Sequence, residues 1–323
     1  MDEETAEPPP EEIPSATETP SDDAPLAEAQ QPVAARPPRS MVTFIAGAVI
    51  VVVIAVGVIG YAFAGVTFAA SRLASIRTAY NAVVSHQNAI TDEFNAFDSK
   101  VTAADLTTGA ATLKQNRAAY DTLVSQSQAA QPTIAADDAS LATAQAHLND
   151  NSWLTLFSRS SLNNASLKMG HERKALATAK TLAADLILLG TFYQAFYDSL
   201  IDLDTLSTKA QATDFTGAAA ATTTLKTDIT KAIELTNAPG LPPEMKLFLT
   251  DFQTLAADFG KLLDAAIAGD ANAANADLKA VEADITKIGL YDTDKMSTDT
   301  KAFYQPLLDT FNSEVAKANR IQI

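Results

Sequence analysis

The chain has 323 residues, a formal net charge of −16 and no cysteine. The acidic balance excludes a phosphate-binding surface, because nucleic acids demand clustered lysine and arginine, and it disfavours tight binding to anionic headgroups. Lack of cysteine excludes disulfides, thiolate metal sites, cysteine nucleophiles and cysteine-linked lipid anchors.

Residues 1–40 read as a disordered, acidic, proline-rich tail. They hold ten acids against two bases (Arg36 and Arg39) and nine of the 14 prolines, with Ile13, Leu26 and Val33 as the exceptional apolar bulk. A segment this poor in apolar surface cannot offset the entropy of ordering. It has no basic cluster that would serve as a targeting sequence.

Residues 41–70 contain no charged side chain. A bilayer core about 30 Å thick needs roughly 20 apolar helical residues, so this stretch predicts a single-pass transmembrane helix. Arg36 and Arg39 precede it and Arg72 and Arg77 follow, which leaves the positive-inside comparison nearly balanced. Long domains translocate largely regardless of loop charge. The expected topology is therefore an integral protein of the cell membrane, with the N-terminus cytoplasmic and the C-terminal domain extracytoplasmic. Ala62-Phe63-Ala64 resembles a signal-peptidase site, but the apolar run before it exceeds a signal-peptide core, so an uncleaved anchor is expected. Gly60 with Ala64 and Gly65 with Ala69 give the small-xxx-small spacing of a weak homodimer through the membrane helix.

Beyond Ala70 the apolar positions follow alternating spacings of three and four. Leu73, Ile76, Tyr80, Val83, Gln87, Ile90, Phe94, Phe97 and Val101 form one heptad seam, continuous with the membrane segment. A second seam runs Leu106, Ala110, Leu113, Arg117, Tyr120, Val124, and a third Leu176, Ala179, Ala183, Leu186, Gly190, Tyr193, Tyr197, Leu200. Later seams are Met245 to Ala266, then Leu278, Val281, Ile285, Ile288, then Met296, Thr300, Phe303, Leu307, Phe311. No comparable period-two run appears, so no sheet is expected. Pro132 predicts a break between helices over 106–130 and 133–149, and Asn237 to Pro243 predicts a loop with proline opening the next helix.

Asp105, Asp214 and Asp270 each precede a small-residue stretch that reaches Leu-Lys, which predicts N-caps at the turns of repeated helical hairpins. The expected fold is all-α: a coiled-coil-like antiparallel helical bundle of seven or eight helices behind one N-terminal transmembrane helix. Its first helical segment covers 71–150, a Trp-containing break covers 151–165, and the second segment covers 166–323.

The chain carries no chemistry that sequence can name. His86 and His171 have no His, Asp or Glu three or four residues ahead, and His147 has only Asp150 at a helix end. His86 reads as exposed or hydrogen-bonded within the bundle, beside the seam residue Gln87. Asp137-Asp138 and Asp22-Asp23 are adjacent rather than facing, and read as solvated charges. Tyr193, Phe196 and Tyr197 read as core. No catalytic, cofactor-binding or metal-binding residue is assigned, and no cofactor is expected. Trp153, Leu154, Leu156 and Phe157 form a compact apolar group inside a break; it either caps the core or offers a patch for a protein partner.

The reading is a membrane-anchored, non-enzymatic module of a bacterial envelope that binds a partner or scaffolds an assembly, with no nucleic-acid partner. The alternative is a sensor-like extracytoplasmic ligand-binding bundle. With no signalling module after the bundle, only the tail could carry its signal.

Overall fold

The computed structural model describes Ile76, residues 78–87, 109–149 and 159–323. The tail at 1–40, the apolar segment at 41–70 and the seam residues from Ile90 to Leu106 lie outside the described residues. So do Asp105 and the group Trp153, Leu154, Leu156 and Phe157.

The described residues are helical with short turns, and none is in a strand. Seven helices follow in order: α1 over 78–87, α2 Ala110–Asn149, α3 Arg159–Gln211, α4 Phe215–Glu234, α5 Pro243–Ala268, α6 Ala271–Ile288 and α7 Thr293–Arg320. Helices α2 to α6 pack on their neighbours in chain order, and α7 returns to α3. The result is a helical bundle.

Its turns follow from particular residues. Asp214 caps α4 by accepting from the Gly217 N–H, and Asp270 caps α6 by accepting from Asn272 and Ala273. Each carboxylate satisfies N–H groups that have no partner inside the helix and sits at the positive end of its dipole. Asp292 does the same for α7. Pro243 opens α5, where the missing N–H costs nothing. Gly240 closes the preceding loop at φ 81°, and a Cβ there would sit 2.6 Å from the Tyr304 ring. Tyr304 is buried and donates its hydroxyl to the Pro239 carbonyl at 2.8 Å, which clasps the loop to α7.

Two buried apolar clusters form, and α3 serves both. The larger joins the first half of α2, the second half of α3 and α4 to α7, with Tyr120, Phe192, Tyr197, Phe252 and Phe311 among its largest members. The smaller joins Ile76 and Val83 to Ile134 and Leu141 of α2 and Leu162 and Met169 of α3. Burying one such side chain is worth about 1.5–3 kcal/mol. Tyr120 stacks on Tyr193 and Tyr197, and Phe196 meets Phe248 edge-on, so the aromatic residues of the third seam are core. Among the described helices α3 alone is long and apolar enough to cross a bilayer, by length and composition. Leu182, Leu186, Leu189, Phe192, Phe196 and Leu200 of this helix lie in the larger cluster, whereas Leu167 and Leu188 are exposed.

Four expectations require correction. Pro132 does not end a helix: α2 runs through it, because Ala130 and Ile134 on either side are buried and proline itself faces solvent. Packing there outweighs one lost backbone hydrogen bond. The break expected over 151–165 is already helical from Arg159. On α6 only Val281 and Ile288 are buried, whereas Leu278 and Ile285 are 43% and 52% exposed. That helix packs on α5 and has a single contact face. On α7 the buried row is Met296, Thr300, Tyr304, Leu308, Phe311 and Val315, not Phe303 and Leu307. The two rows share Met296, Thr300 and Phe311 and differ between them, where Tyr304 also donates to the Pro239 carbonyl.

Helices α2 and α3 approach closely at Gly190, where a Cβ would lie 2.6 Å from Val124 Cγ2. Valine has little rotamer freedom in a helix with which to yield. We expect Gly190→Ala to lose about 1–2 kcal/mol, overpacking outweighing its better helix propensity. Adding Val124→Ala should recover part of that loss in a urea-denaturation double-mutant cycle. Strictly additive effects would show that the approach is not tight.

Candidate functional site

The most unusual chemistry lies where α1 meets the bundle. Four polar or ionisable side chains there are almost completely buried: Gln87 on α1, Asp137 on α2, and Lys168 and Glu172 on α3. Gln87, Asp137 and Glu172 occupy positions that the heptad pattern assigns to the core, and Lys168 lies buried beside that row. The row Leu162, Ala165, Met169, Glu172, Leu176 keeps alternating spacings of three and four, as does Ala130, Ile134, Asp137, Leu141, Ala144, Leu148. The helices therefore aim these groups into the interior, and each must find a partner there.

Gln87 donates its amide N–H to Glu172 Oε1 at 3.1 Å. Glu172 is fully buried, and its second oxygen, Oε2, accepts no hydrogen bond among the described residues. Burial pushes its carboxyl above the ordinary carboxylate range; the Gln87 bond and the Lys168 charge oppose that, and the Asp137 charge adds to it. Lys168 reaches the Ile321 carbonyl at 3.4 Å and lies 4.9 Å from the centre of the Tyr80 ring. Burial lowers its ammonium below the ordinary lysine range, against the pull of Glu172. Tyr80 in turn donates to Asn319 Oδ1 at 3.2 Å. One ionisable cluster thus touches α1, α2, α3 and α7.

Two histidine–carboxylate contacts flank it. His86 Nδ1 is 2.9 Å from Asp137 Oδ1, and His171 Nδ1 is 2.7 Å from Glu314 Oε2. Lys317 also holds Glu314, at 2.6 Å, and the bonds from Lys317 and His171 depress that carboxyl. His86 is therefore hydrogen-bonded within the bundle. The adjacent acids are not free solvated charges: Asp137 is buried against His86, and Asp138 takes Arg173 at 2.7 Å. Sequence reasoning missed Glu172, Lys168 and Asp137. Extending the seams backward through Met169 and forward through Ile134 places Glu172 and Asp137 on the core face, and that signal was available.

Facing carboxyls, rather than adjacent ones, occur elsewhere. Asp202 on α3 pairs with Asp228 on α4, and Asp284 on α6 with Asp258 on α5. Burial, then the charge of Asp228 and a hydrogen bond shared with it, push Asp202 up to about 7, with a further contribution from Asp198. Desolvation and Asp258 raise Asp284 as well. Asp198 is neutralised by Arg117 at 2.9 Å, which also bridges to Asp121. Among the described residues no three His, Asp or Glu side chains converge as a metal-ligand set.

Comparison with protein-family models, with curated proteins and with solved structures gave no match to this chain.

The Asp202–Asp228 contact generates a pH dependence with a definite sign. A carboxyl whose folded value is raised contributes stability in acid, and that contribution is lost as pH climbs through the folded value, here about 7. We expect the urea midpoint of the protein to fall between about pH 5 and about pH 8, and Asp202→Asn to flatten that decline. Parallel pH profiles for the two proteins would remove Asp202 as the source.

Proposed function

We propose that this chain is a single-pass, membrane-anchored helical module without catalytic activity, whose bundle binds a protein partner or scaffolds an assembly in the cell envelope. The observation that carries the reading is the fate of the first seam. Ile76, Tyr80, Val83 and Gln87 are all buried in the bundle, in the register that starts beside the apolar segment 41–70. A helix that leaves a bilayer in this register enters the bundle core directly, with no intervening hinge residue between Ile76 and Gln87. The body is then held at a fixed distance from the membrane, which suits a spacer or docking platform. The tail stays on the cytoplasmic side and the bundle lies outside.

A second reading, a sensor-like input domain, draws on a different observation. Buried ionisable groups are costly to keep in a bundle that apolar residues could fill, and such groups often mark a functional element. Glu172, Lys168 and Asp137 are of that kind.

The absence of native cysteine makes topology directly measurable. Ser207 is exposed near the end of α3, and Ser15 lies in the tail. In intact cells a membrane-impermeant maleimide should label Ser207→Cys at full length and leave Ser15→Cys unlabelled. Labelling of Ser15→Cys alone would put the bundle in the cytoplasm and overturn the placement. A full-length protein that retains no partner from solubilised envelope, yet gains thermal stability from a small-molecule panel, would favour the sensor reading over the scaffold. A ligand at 100 times its dissociation constant should contribute about 2.7 kcal/mol.

A further inference from the structure

The contact between α1 and α3 has a chemical asymmetry. Gln87 offers an amide N–H to one oxygen of Glu172, and the other oxygen, buried, accepts nothing among the described residues. As a carboxylate, Glu172 would place a charge in a fully enclosed position with one neutral donor on it, and with Asp137 as a second acid nearby. As a carboxylic acid, its Oε2 becomes an O–H donor. The amide of Gln87 carries a carbonyl beside the N–H already engaged, and an acid and a primary amide are complementary in both directions.

We propose that Glu172 and Gln87 form a proton-operated latch. With a proton on Glu172 the acid and the amide pair reciprocally and hold α1 against α3; when the proton passes to water, the buried charge weakens that grip and α1 lifts from the bundle. The bistable element is α1 itself, docked or released, and the proton is the ligand that biases it.

The surrounding charges have defined effects on this step. On α3, Lys168 sits one turn before Glu172 and its ammonium favours the ionised form, but it is also engaged by the Ile321 carbonyl and the Tyr80 ring. On α2, Asp137 opposes ionisation of Glu172, while its own contact with His86 is a second fastening of α1. On α7, Glu314 is held by Lys317 and His171, and Asn319 receives the Tyr80 hydroxyl. The direction follows from the raised carboxyl of Glu172. Docking of α1 is strongest in acid and is lost as pH rises through the value of the docked state. The latch does not depend on the membrane placement, since all its groups lie on α1, α2, α3 and α7.

The test uses the full chain in detergent micelles, with spin labels on Ser85→Cys of α1 and Ser313→Cys of α7, both exposed positions. Pulsed electron-electron resonance reads the distance distribution at about pH 5 and about pH 8.5, values that bracket a raised carboxyl. The expected result is one narrow distance in acid and a broad, longer distribution in base. Glu172→Gln, which is neutral at every pH, should keep the narrow distance throughout. His86→Gln removes the second fastening, so the transition should persist with its midpoint moved toward acid. A distance that does not change with pH, a Glu172→Gln protein that follows the parent profile, or a transition abolished by His86→Gln would each overturn the latch. Should Glu172→Gln lose its helical circular dichroism, Gln87→Met carries the test. It removes the acceptor and should broaden the distance in acid as well; a narrow distance there would overturn the pairing.

Discussion

Everything in the bundle hangs on the apolar stripe of α3. At 53 residues this helix is about 80 Å long, and it supplies one wall of both buried clusters. The helices α2, α4 and α7 pack on it, α5 also reaches it through Phe248 against Phe196, and α6 is attached through α5. Small residues on the stripe set how near those partners come. Gly190 admits Val124, and Ala165, Ala175 and Ala195 are fully buried. A stripe this continuous explains why α3 has membrane-like hydropathy. Many of its apolar side chains pack against other helices, while Leu167 and Leu188 remain exposed.

The two ends of that stripe are chemically different. Toward its C-terminal half the core is aromatic, with Tyr120, Phe192, Tyr193, Phe196 and Tyr197 packed ring on ring. Toward its N-terminal half the stripe receives Glu172, with Lys168 buried beside it. An apolar layer tolerates repacking among hydrophobic residues of similar volume. A polar layer accepts one arrangement, because each donor needs its acceptor. The end that receives α1 is thus built for a single register, and the aromatic end is built for adhesion.

Much of this was legible from spacing. The first seam holds at every described position, from Ile76 to Gln87, and the capping aspartates Asp214 and Asp270 lie at the turns that their sequence context predicts. Failures came where long-range contacts override a local rule. Pro132 is a helix breaker in isolation, but Ala130 and Ile134 are held by α3. On α7 it is Tyr304 rather than Phe303 that is buried, and it answers a loop 65 residues earlier. Leu278 and Ile285 fit a seam that has no second helix to face. In the candidate site, Gln87 stands out as a polar residue on a seam, while Glu172 sits among charged neighbours and Asp137, beside Asp138, reads as a solvated charge. Their partners lie 85 and 51 residues away, so pairing was invisible to any local window.

The Tyr80–Asn319 contact closes a separation of 239 residues, whereas the hairpins α2–α3 through α5–α6 join chain neighbours. Local pairings form early and distant ones wait for the chain between them to condense. During synthesis α1 leaves the ribosome long before α7 exists, so its Tyr80 contact with Asn319 can form only when nearly all the rest has been made. The side of the polar layer that faces α7 is then the last part of it to assemble. Mispairing of α1 with an incomplete bundle is discouraged by the same groups, since Tyr80 and Lys168 lack their partners on Asn319 and Ile321 until α7 arrives. Its position in the fold makes this cluster a checkpoint for completion of the chain.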